Sequence, residues 1–593
     1  MSPTPRVRVP RPRLRAHWRL LLRLLRPYRG RVALLGLALT AAAALPLAGP
    51  QLVRTFVDAA LAGASLELLL TIAGAYLAIG IAAQATSVAV TYAANGLAWT
   101  ATNALRERAV AHALSLDLAY HRDTRPGSLI QRVDGDATHI ARFITDFAVK
   151  VVVGILMLTG AIVLVTREDW RVGVALTLFA VATAALAVRL RNHAVAATTQ
   201  ASRDEASVHG ELEERLDGAE DLRALGAVRH AVDRLHGASA ALLASSRTAW
   251  GRQASIWSAT SVLFAVGTVG MLLGGAWLHA GGAITIGTVV LLLQYTRVLH
   301  RPVEEISEQL QEVQRAAAGA ARIATLLDTR PTVPPGGDAS LPPGALAVRA
   351  ERLGFAYPDD GVPVLTDVDL DVPAGTSLGL VGRSGGGKTT LARLVLRLAD
   401  PTEGVLRVGG VDLRDVDDAS RRERLAMVTQ DVHLLRATVR DNLTLLGTVP
   451  ADDSRLEALL RELGLGPWLD GLPHGLGTQL GPDGAGTSAG QAQLIGLARV
   501  FLRDPGVVVL DEASSRVDPA TQERIDAATR RLLAGRTGIV IAHRLSTVRA
   551  CDAVAVLDDG RVLEHAPPAR LAADDASRLA RMLAVEAEPE RAR

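Results

Sequence analysis

Cysteine is almost absent: Cys551 is the only one in 593 residues, which excludes an intrachain disulfide and any metal site built from several thiolates. That thiol reads as a buried core residue. Lysine is nearly as scarce. Of 64 Lys and Arg residues only Lys150 and Lys388 are lysine, so the chain supplies its cations almost entirely as arginine. A strong excess of one charge is missing as well; the net charge of +3 gives no reason to expect a nucleic-acid partner. No repeat of solenoid length is apparent. The first fifteen residues, MSPTPRVRVPRPRLR, are basic and proline-rich but lack the small-residue cleavage site of a secretory signal. They read as a cytoplasmic tail. It leads into an amphipathic stretch, His17 to Leu25, with Arg19, Arg23 and Arg26 interleaved among leucines, suited to lie along the inner membrane surface.

What is present divides into two kinds of sequence. A chain of 593 residues exceeds a single core, and long apolar runs fill it up to about residue 310, after which charges are spread throughout. Six apolar stretches read as membrane-crossing helices: Val32 to Val53, Leu66 to Tyr92, Phe143 to Val165, Val172 to Val188, Ile256 to Leu278, and Ile284 to Tyr295 with its continuation. The connections Asp58 to Glu67 and His279 to Thr285 carry no Lys or Arg, whereas Arg106 to Arg142 and Arg189 to Arg252 are rich in arginine. The arginine-rich segments and the amino terminus therefore belong in the cytoplasm. Both cytoplasmic segments keep helical periodicity, with Leu212, Leu216, Leu222 and Leu225 recurring between charges, and read as helices prolonged beyond the bilayer. Within the spans, Gln84, Ser87, Thr91 and Asn95, and near the outer end of the first span Gln51, Arg54 and Asp58, either line a path or join helices, since intramembrane polarity needs a partner.

The polar half opens on Gly382, Arg383, Ser384, Gly385, Gly386, Gly387, Lys388 and Thr389, a GxxxxGKT phosphate-binding loop followed by Thr390 and a helical run to Leu398. Glycines let successive backbone N–H groups turn onto phosphate oxygens, and the following helix adds its positive end. A lysine in a chain that otherwise uses arginine is pointed, because a compact ammonium reaches between β- and γ-phosphates where a planar guanidinium fits poorly. The alternative is a glycine-rich turn with a chance lysine. Downstream, VVVLDE from Val507 to Glu512 reads as an apolar strand ending in two carboxylates, Asp511 to hold Mg²⁺ with the Thr389 hydroxyl and Glu512 to orient or deprotonate water.

At this point the chain resembles the ATP-binding cassette superfamily over nearly its whole length. The resemblance implies that Tyr357 in FAYP stacks on adenine. It implies that Gln430 in MVTQD contacts Mg²⁺ or water and reports nucleotide state, that Asp518 in SSRVD crosses to the partner's phosphate loop, and that His543 in IAHRLST contacts the γ-phosphate. Taken singly, each has a plainer reading: a core aromatic, a loop capper, a helix cap before Pro519, a strand-end histidine. The implied fold is an α-helical six-span transmembrane domain followed by an α/β P-loop nucleotide-binding domain. Its expected boundaries are 1–327 for the membrane domain, 328–346 for a Pro/Gly linker, 347–584 for the nucleotide-binding domain and 585–593 for a disordered tail.

One motif departs from the family. Where LSGGQ is usual, this chain has Thr487, Ser488, Ala489, Gly490 and Gln491, a segment that in the family covers the ATP of the opposite subunit. Ala489 adds a Cβ, which is expected to crowd the approach to nucleotide and to restrict φ. The mixture resembles one half of a heterodimeric transporter with unequal ATP sites, working with a second half that carries an intact signature; a homodimer with harmless drift is the alternative. The membrane half is similar to the exporter-type branch called type IV, with Tyr120 to Asp136 and Glu214 to His230 resembling its two cytoplasmic loops, each expected to carry a short helix. The resemblance implies a multi-pass protein of the cell membrane with its ATPase domain in the cytoplasm, driven by Mg-ATP. Export or lipid flipping of an unnamed substrate is expected, with siderophore-like import and an ATP-binding switch that does not pump as rivals.

Overall fold

The computed structural model describes residues 24–124, 126–357, 361–481, 486–511, 518–542 and 545–591. The chain forms two compact units, one of the residues up to Ala113 with Pro126–Thr329, the other of Leu114–Arg125 with Arg330 onward.

The described residues of the membrane unit form helices joined by short turns. Its helices are α1 (Arg29–Leu61), α2 (Leu66–Ser115), α4 (Pro126–Glu168), α5 (Trp170–Asp217), α6 (Ala219–Ala224), α7 (Val228–Ala280), α8 (Ile286–Val298) and α9 (His300–Asp328); the six-residue α3 (Leu118–Asp123) falls in the other unit. Five of these helices contain stretches long and apolar enough to cross a bilayer. The sixth, α8, is apolar over only 13 residues, and the chain stays helical through Leu299 into the charged α9. At 1.5 Å per residue, α2, α5 and α7, with 50, 48 and 53 residues, are about 70–80 Å long, more than twice a hydrocarbon core of about 30 Å. They supply the prolonged helices that the leucine periodicity implies, and α6 sits between two of them. Large apolar side chains such as Leu77, 64% exposed, and Tyr92, 82% exposed, are what a helix facing lipid presents.

The polar residues near the outer ends join helices. Arg54 pairs with Glu168, Asp58 accepts hydrogen bonds from Thr285 Oγ1 (2.8 Å) and the Gly287 amide (2.9 Å), and Gln51 donates to the buried Tyr295 hydroxyl (3.3 Å). On α2, Thr91 donates to its own helix at Ser87, while Asn95 accepts from Thr145 of α4 at 3.4 Å. Of the two readings open for these groups, helix joining holds for Gln51, Arg54, Asp58 and Asn95.

The second unit is built on two sheets. A four-stranded antiparallel sheet runs in the order β2 (Pro363–Val372), β1 (Val348–Ala356), β4 (Glu403–Val408), β5 (Val411–Asp412); a six-stranded sheet runs β10 (Arg561–Ala566), β9 (Ala553–Asp558), β3 (Ser377–Val381), β8 (Thr537–Ile541), β7 (Val507–Asp511), β6 (Leu425–Val428). From β9 to β6 every neighbour is parallel. Parallel strands need cover on both faces, and here the period of two is visible in the core. Val508, Leu510 and Val540 enter one apolar cluster while Val507, Val509, Ile539 and Ile541 enter the other. The stretch read as a linker is tied down: Arg397 Nη2 donates to Pro334 O, Ser420 Oγ accepts from the Leu341 amide, and Arg424 donates to the carbonyls of Pro342 and Gly344. A helix, Arg578–Arg591, runs into the stretch read as a tail.

Candidate functional site

The glycine-rich loop leaves the carboxyl end of β3 and closes on helix α10 (Lys388–Val395). Gly382 has φ +148 and a Cβ there would lie 1.9 Å from the Leu557 carbonyl; Gly387, the residue before the helix, has φ +100 and would meet Leu365 at 2.7 Å. Only glycine satisfies both positions. Lys388 is 6% exposed and folds back over the loop, its Nζ donating to the carbonyls of Gly382 and Arg383, both at 2.8 Å. Burial pulls its pKa down, with the carboxylate of Asp511 acting the other way. Thr389 is half-buried and Thr390 buried at the start of α10, and Arg383, Ser384 and Gly385 are exposed.

Strand register brings the other segments to the same edge. Leu380 of β3 and Asp511 of β7 both lie beside Ile541 of β8, and Val428 of β6 lies beside Leu510. The phosphate loop, Ala542 just past β8, Asp511 and Gln430 therefore all emerge at the carboxyl ends of adjacent parallel strands, where ligands of open α/β sheets bind. Asp511 ends a strand that is buried along its full length and is itself 8% exposed; Gln430 is exposed two residues beyond β6. Among the described residues no cluster of three His, Cys, Asp or Glu side chains makes a self-contained metal site. One buried carboxylate, a hydroxyl and an amide oxygen suit a hard cation that completes its shell with phosphate oxygens and water, as Mg²⁺ does. Glu512 and His543 lie outside the described residues.

Tyr357 stands beside this loop. Its hydroxyl meets Thr390 Oγ1 at 3.2 Å and accepts from Arg393 Nη1 at 3.2 Å, and Phe355 packs against it edge-to-face at 4.9 Å. A further contact has no sequence signal: the Arg122 guanidinium of α3 lies 4.3 Å from the Tyr357 ring centroid. Asp117 places α3. One carboxylate oxygen caps the helix at the Tyr120 amide (3.3 Å), and the other accepts from Thr332 Oγ1 (2.6 Å) and from the amides of Thr332 and Val333. A capping aspartate before a short helix is legible in sequence; its second set of partners is not.

The signature segment starts helix α12 (Ala489–Arg503), preceded in the chain by α11 (Val439–Thr444). Ser488 is the N-cap: its Oγ accepts from the Gln491 amide (3.2 Å), and Gln491 Oε1 accepts from the Ser488 amide (2.8 Å), a reciprocal capping box. The expected φ penalty at Ala489 is not found. The residue is the first of the helix, is exposed, and is not among the residues with positive φ, so its extra Cβ meets no backbone strain. Gly490 is buried behind it. Thr487, in place of leucine, has a buried Oγ1 that finds no hydrogen-bond partner among the described residues. Farther along α12, Arg499 reaches the segment after Gln430, donating to the carbonyls of Asn442 (2.7 Å) and His433 (3.1 Å), with burial lowering its pKa. Asp518 caps helix α13 (Pro519–Leu533) by accepting from the Thr521 amide at 3.0 Å, as its plainer reading has it.

Two family models match the chain: the ABC transporter transmembrane region over residues 32–303 and the ABC transporter domain over residues 365–515. The chain is 39% identical over 306 residues to a multidrug efflux ATP-binding/permease protein of Mycobacterium bovis, an alignment covering 51% of this chain and 25% of that one. The chain thus spans about a quarter of the length of that relative. It is 28% identical over 475 residues to the ATP-dependent lipid A-core flippase of Bordetella avium, covering 79% of this chain and 80% of the relative. Among solved structures, a bacterial Atm1-family ABC exporter with ATP bound superposes with a TM-score of 0.79 at 25% identity, covering 94% of this chain and 98% of that one. With both domains matched in order in one polypeptide, the chain belongs to the ATP-binding cassette transporters and has the architecture of an exporter-type fused half-transporter.

Proposed function

We propose that this chain is one half of an ATP-driven exporter or lipid flippase of the cell membrane, with its amino terminus and ATPase domain in the cytoplasm. The observation that carries the reading is the convergence of the phosphate loop, Gln430, Asp511 and the carboxyl end of β8 on one edge of a parallel sheet. In the same chain, five helices among the described residues are long and apolar enough to span a bilayer. Export is favoured over uptake by the relatives, which include an efflux protein, a flippase and an exporter.

The roles follow from chemistry. The loop amides and Lys388 hold the β- and γ-phosphates, leaving the carbonyls of Gly382 and Arg383 that Lys388 contacts here. Thr389, Asp511 and Gln430 would hold Mg²⁺, which when bound neutralises charge on the phosphates. Glu512 orients and deprotonates the attacking water, and His543 contacts the γ-phosphate. Tyr357 stacks on the base. Ser488, Ala489, Gly490 and Gln491 face nucleotide held by the partner, and Asp518 contacts the partner's phosphate loop. The partner is a second half with an intact signature. Nucleotide-driven closure is carried through the long helices to the transport path, and hydrolysis resets it.

The test is reconstitution of the purified complex in liposomes with nucleotide units outward, external Mg-ATP and labelled lipids or amphiphiles. ATP-driven movement into the inner leaflet or lumen is the expected result. Movement in the reverse sense selects uptake, and hydrolysis without movement of any probe removes transport.

A further inference from the structure

The contact between Arg122 and Tyr357 links a loop between two membrane helices to the ring expected to receive the base. We infer that Arg122 and the nucleotide base compete for the same face of Tyr357, so that Arg122 sets nucleotide affinity through the base and is released when the base arrives. This rests on the reading of the loop at Gly382–Thr389 as an ATP site.

The geometry permits one occupant of that face at a time. Arg122 Cζ stands 4.3 Å from the ring centroid, whereas a planar base between the two groups needs about 3.5 Å on each side, roughly 7 Å in all. The shortfall is close to 3 Å. The ring is the fixed partner: Thr390 and Arg393 hold its hydroxyl and Phe355 packs against it in a T-shaped pair. The backbone of α3 is fixed too, since Asp117 ties its first turn to Thr332 and Val333. What can yield is the Arg122 side chain, which is 41% exposed and has Asp123 within 3.9 Å. Room exists beside it, in a cavity of about 430 Å³ lined by Leu118, His121, Arg122, Tyr357, Thr390 and Arg393 among others.

The same stack gives the competition a size. A guanidinium on an accessible aromatic face contributes on the order of 0.5–1 kcal/mol, equivalent to about two- to fivefold in affinity. That is enough to tune ATP occupancy without blocking it, and the released group belongs to the segment between α2 and α4, so base binding is felt there directly.

The experiment compares ATP with inorganic tripolyphosphate, which has the phosphates and lacks the base, binding to the full chain in lipid nanodiscs with Mg²⁺ chelated to stop hydrolysis. Arg122→Ala removes one positive charge from both ligands' surroundings, so the ratio of the two affinities isolates the base. The ratio should shift toward ATP by about two- to fivefold, by less in Arg122→Lys, and not at all when Arg122→Ala is added to Tyr357→Leu. An unchanged ratio, or one that shifts toward tripolyphosphate because Arg122 backs the base, overturns the proposal. Unfolding temperatures matching the parent exclude a folding defect. Lys388→Ala is the separate control: it must weaken both ligands, and if it weakens neither the ATP reading fails on its own account.

Discussion

Arg322 of α9 closes a two-pronged ion pair on Asp136 of α4, Nε to Oδ2 at 2.8 Å and Nη2 to Oδ1 at 2.5 Å. The two ends are unequally placed, the Asp136 side chain being 0% exposed and that of Arg322 51%. Gly319 makes room for the pair, for a Cβ there would lie 3.1 Å from that of Asp136. The order of damage follows. Arg322→Ala strands a buried carboxylate and should cost about 3–5 kcal/mol, whereas Asp136→Ala leaves an arginine that water can solvate and should cost less. Thermal unfolding of both variants and the double variant in lipid checks this; equal losses would mean that the burial difference does not govern the pair.

Lys388→Ala and Glu512→Gln should fail in different ways. The first removes a charge-assisted phosphate contact and should weaken ATP binding by about 10- to 100-fold. The second should leave binding intact and lower turnover by about 100-fold or more, the usual contribution of a positioned base. ATP affinity and steady-state hydrolysis of each purified complex separate the two, and near-normal hydrolysis in Glu512→Gln would take the catalytic role away from that residue.

What was legible in the sequence is what is local. The backbone demands at Gly382 and Gly387 fall within a few residues of Lys388, and the buried run ending at Asp511 declares its own strand. Contacts between elements were not legible. Asp117 and Thr332 are 215 residues apart, and Arg122 on Tyr357 joins a helix to the residue just past β1 with no periodicity to announce it. The same limit explains Gln51, Arg54 and Asp58, whose polarity is visible in sequence while their partners Tyr295, Glu168 and Gly287 come only from packing. At Ala489 a glycine in the family motif suggested a φ requirement, but a residue at the first helical position after an N-cap takes ordinary helical angles.

The Asp117 clasp should respond to charge. Burial acts to raise the pKa of this carboxyl, but hydrogen bonds from Thr332, Tyr120 and Val333 hold it below its ordinary value. A depressed carboxylate stabilises the fold above its unfolded pKa, and that contribution is lost as pH falls through the lower folded value, so the clasp is fully formed at neutral pH. Asp117→Ala should therefore raise hydrogen exchange across Thr332–Gly337 by about tenfold at pH 7, as expected for charged hydrogen bonds, with Asp117→Asn in between. Unchanged exchange would mean that the carboxylate does not hold this segment.

The signature segment yields the sharpest division between asymmetry and drift. Ser488 both caps α12 and is proposed to face the partner's nucleotide, so Ser488→Ala should cost about 0.5–2 kcal/mol of stability through the lost cap. Thr487→Leu removes a buried hydroxyl that has no partner among the described residues and should raise stability by about 1 kcal/mol. Hydrolysis tests the functional part. In a complex with an unlike half, Ser488→Ala should lower turnover less than the equivalent change in the partner's signature, because this segment would cover the weaker site. Ala489→Gly should keep activity, since the exposed Cβ at the head of the helix meets no strain in this chain. Expression of the chain alone, followed by mass determination and an ATPase assay in lipid, decides the rest. A homodimer that transports and hydrolyses as fast as any mixed complex, with Ala489→Gly indistinguishable from it, would make TSAGQ a tolerated variant of an ordinary signature. A chain inactive until paired would leave the unequal sites as the reason that its own loop and strand ends match the family while its signature does not.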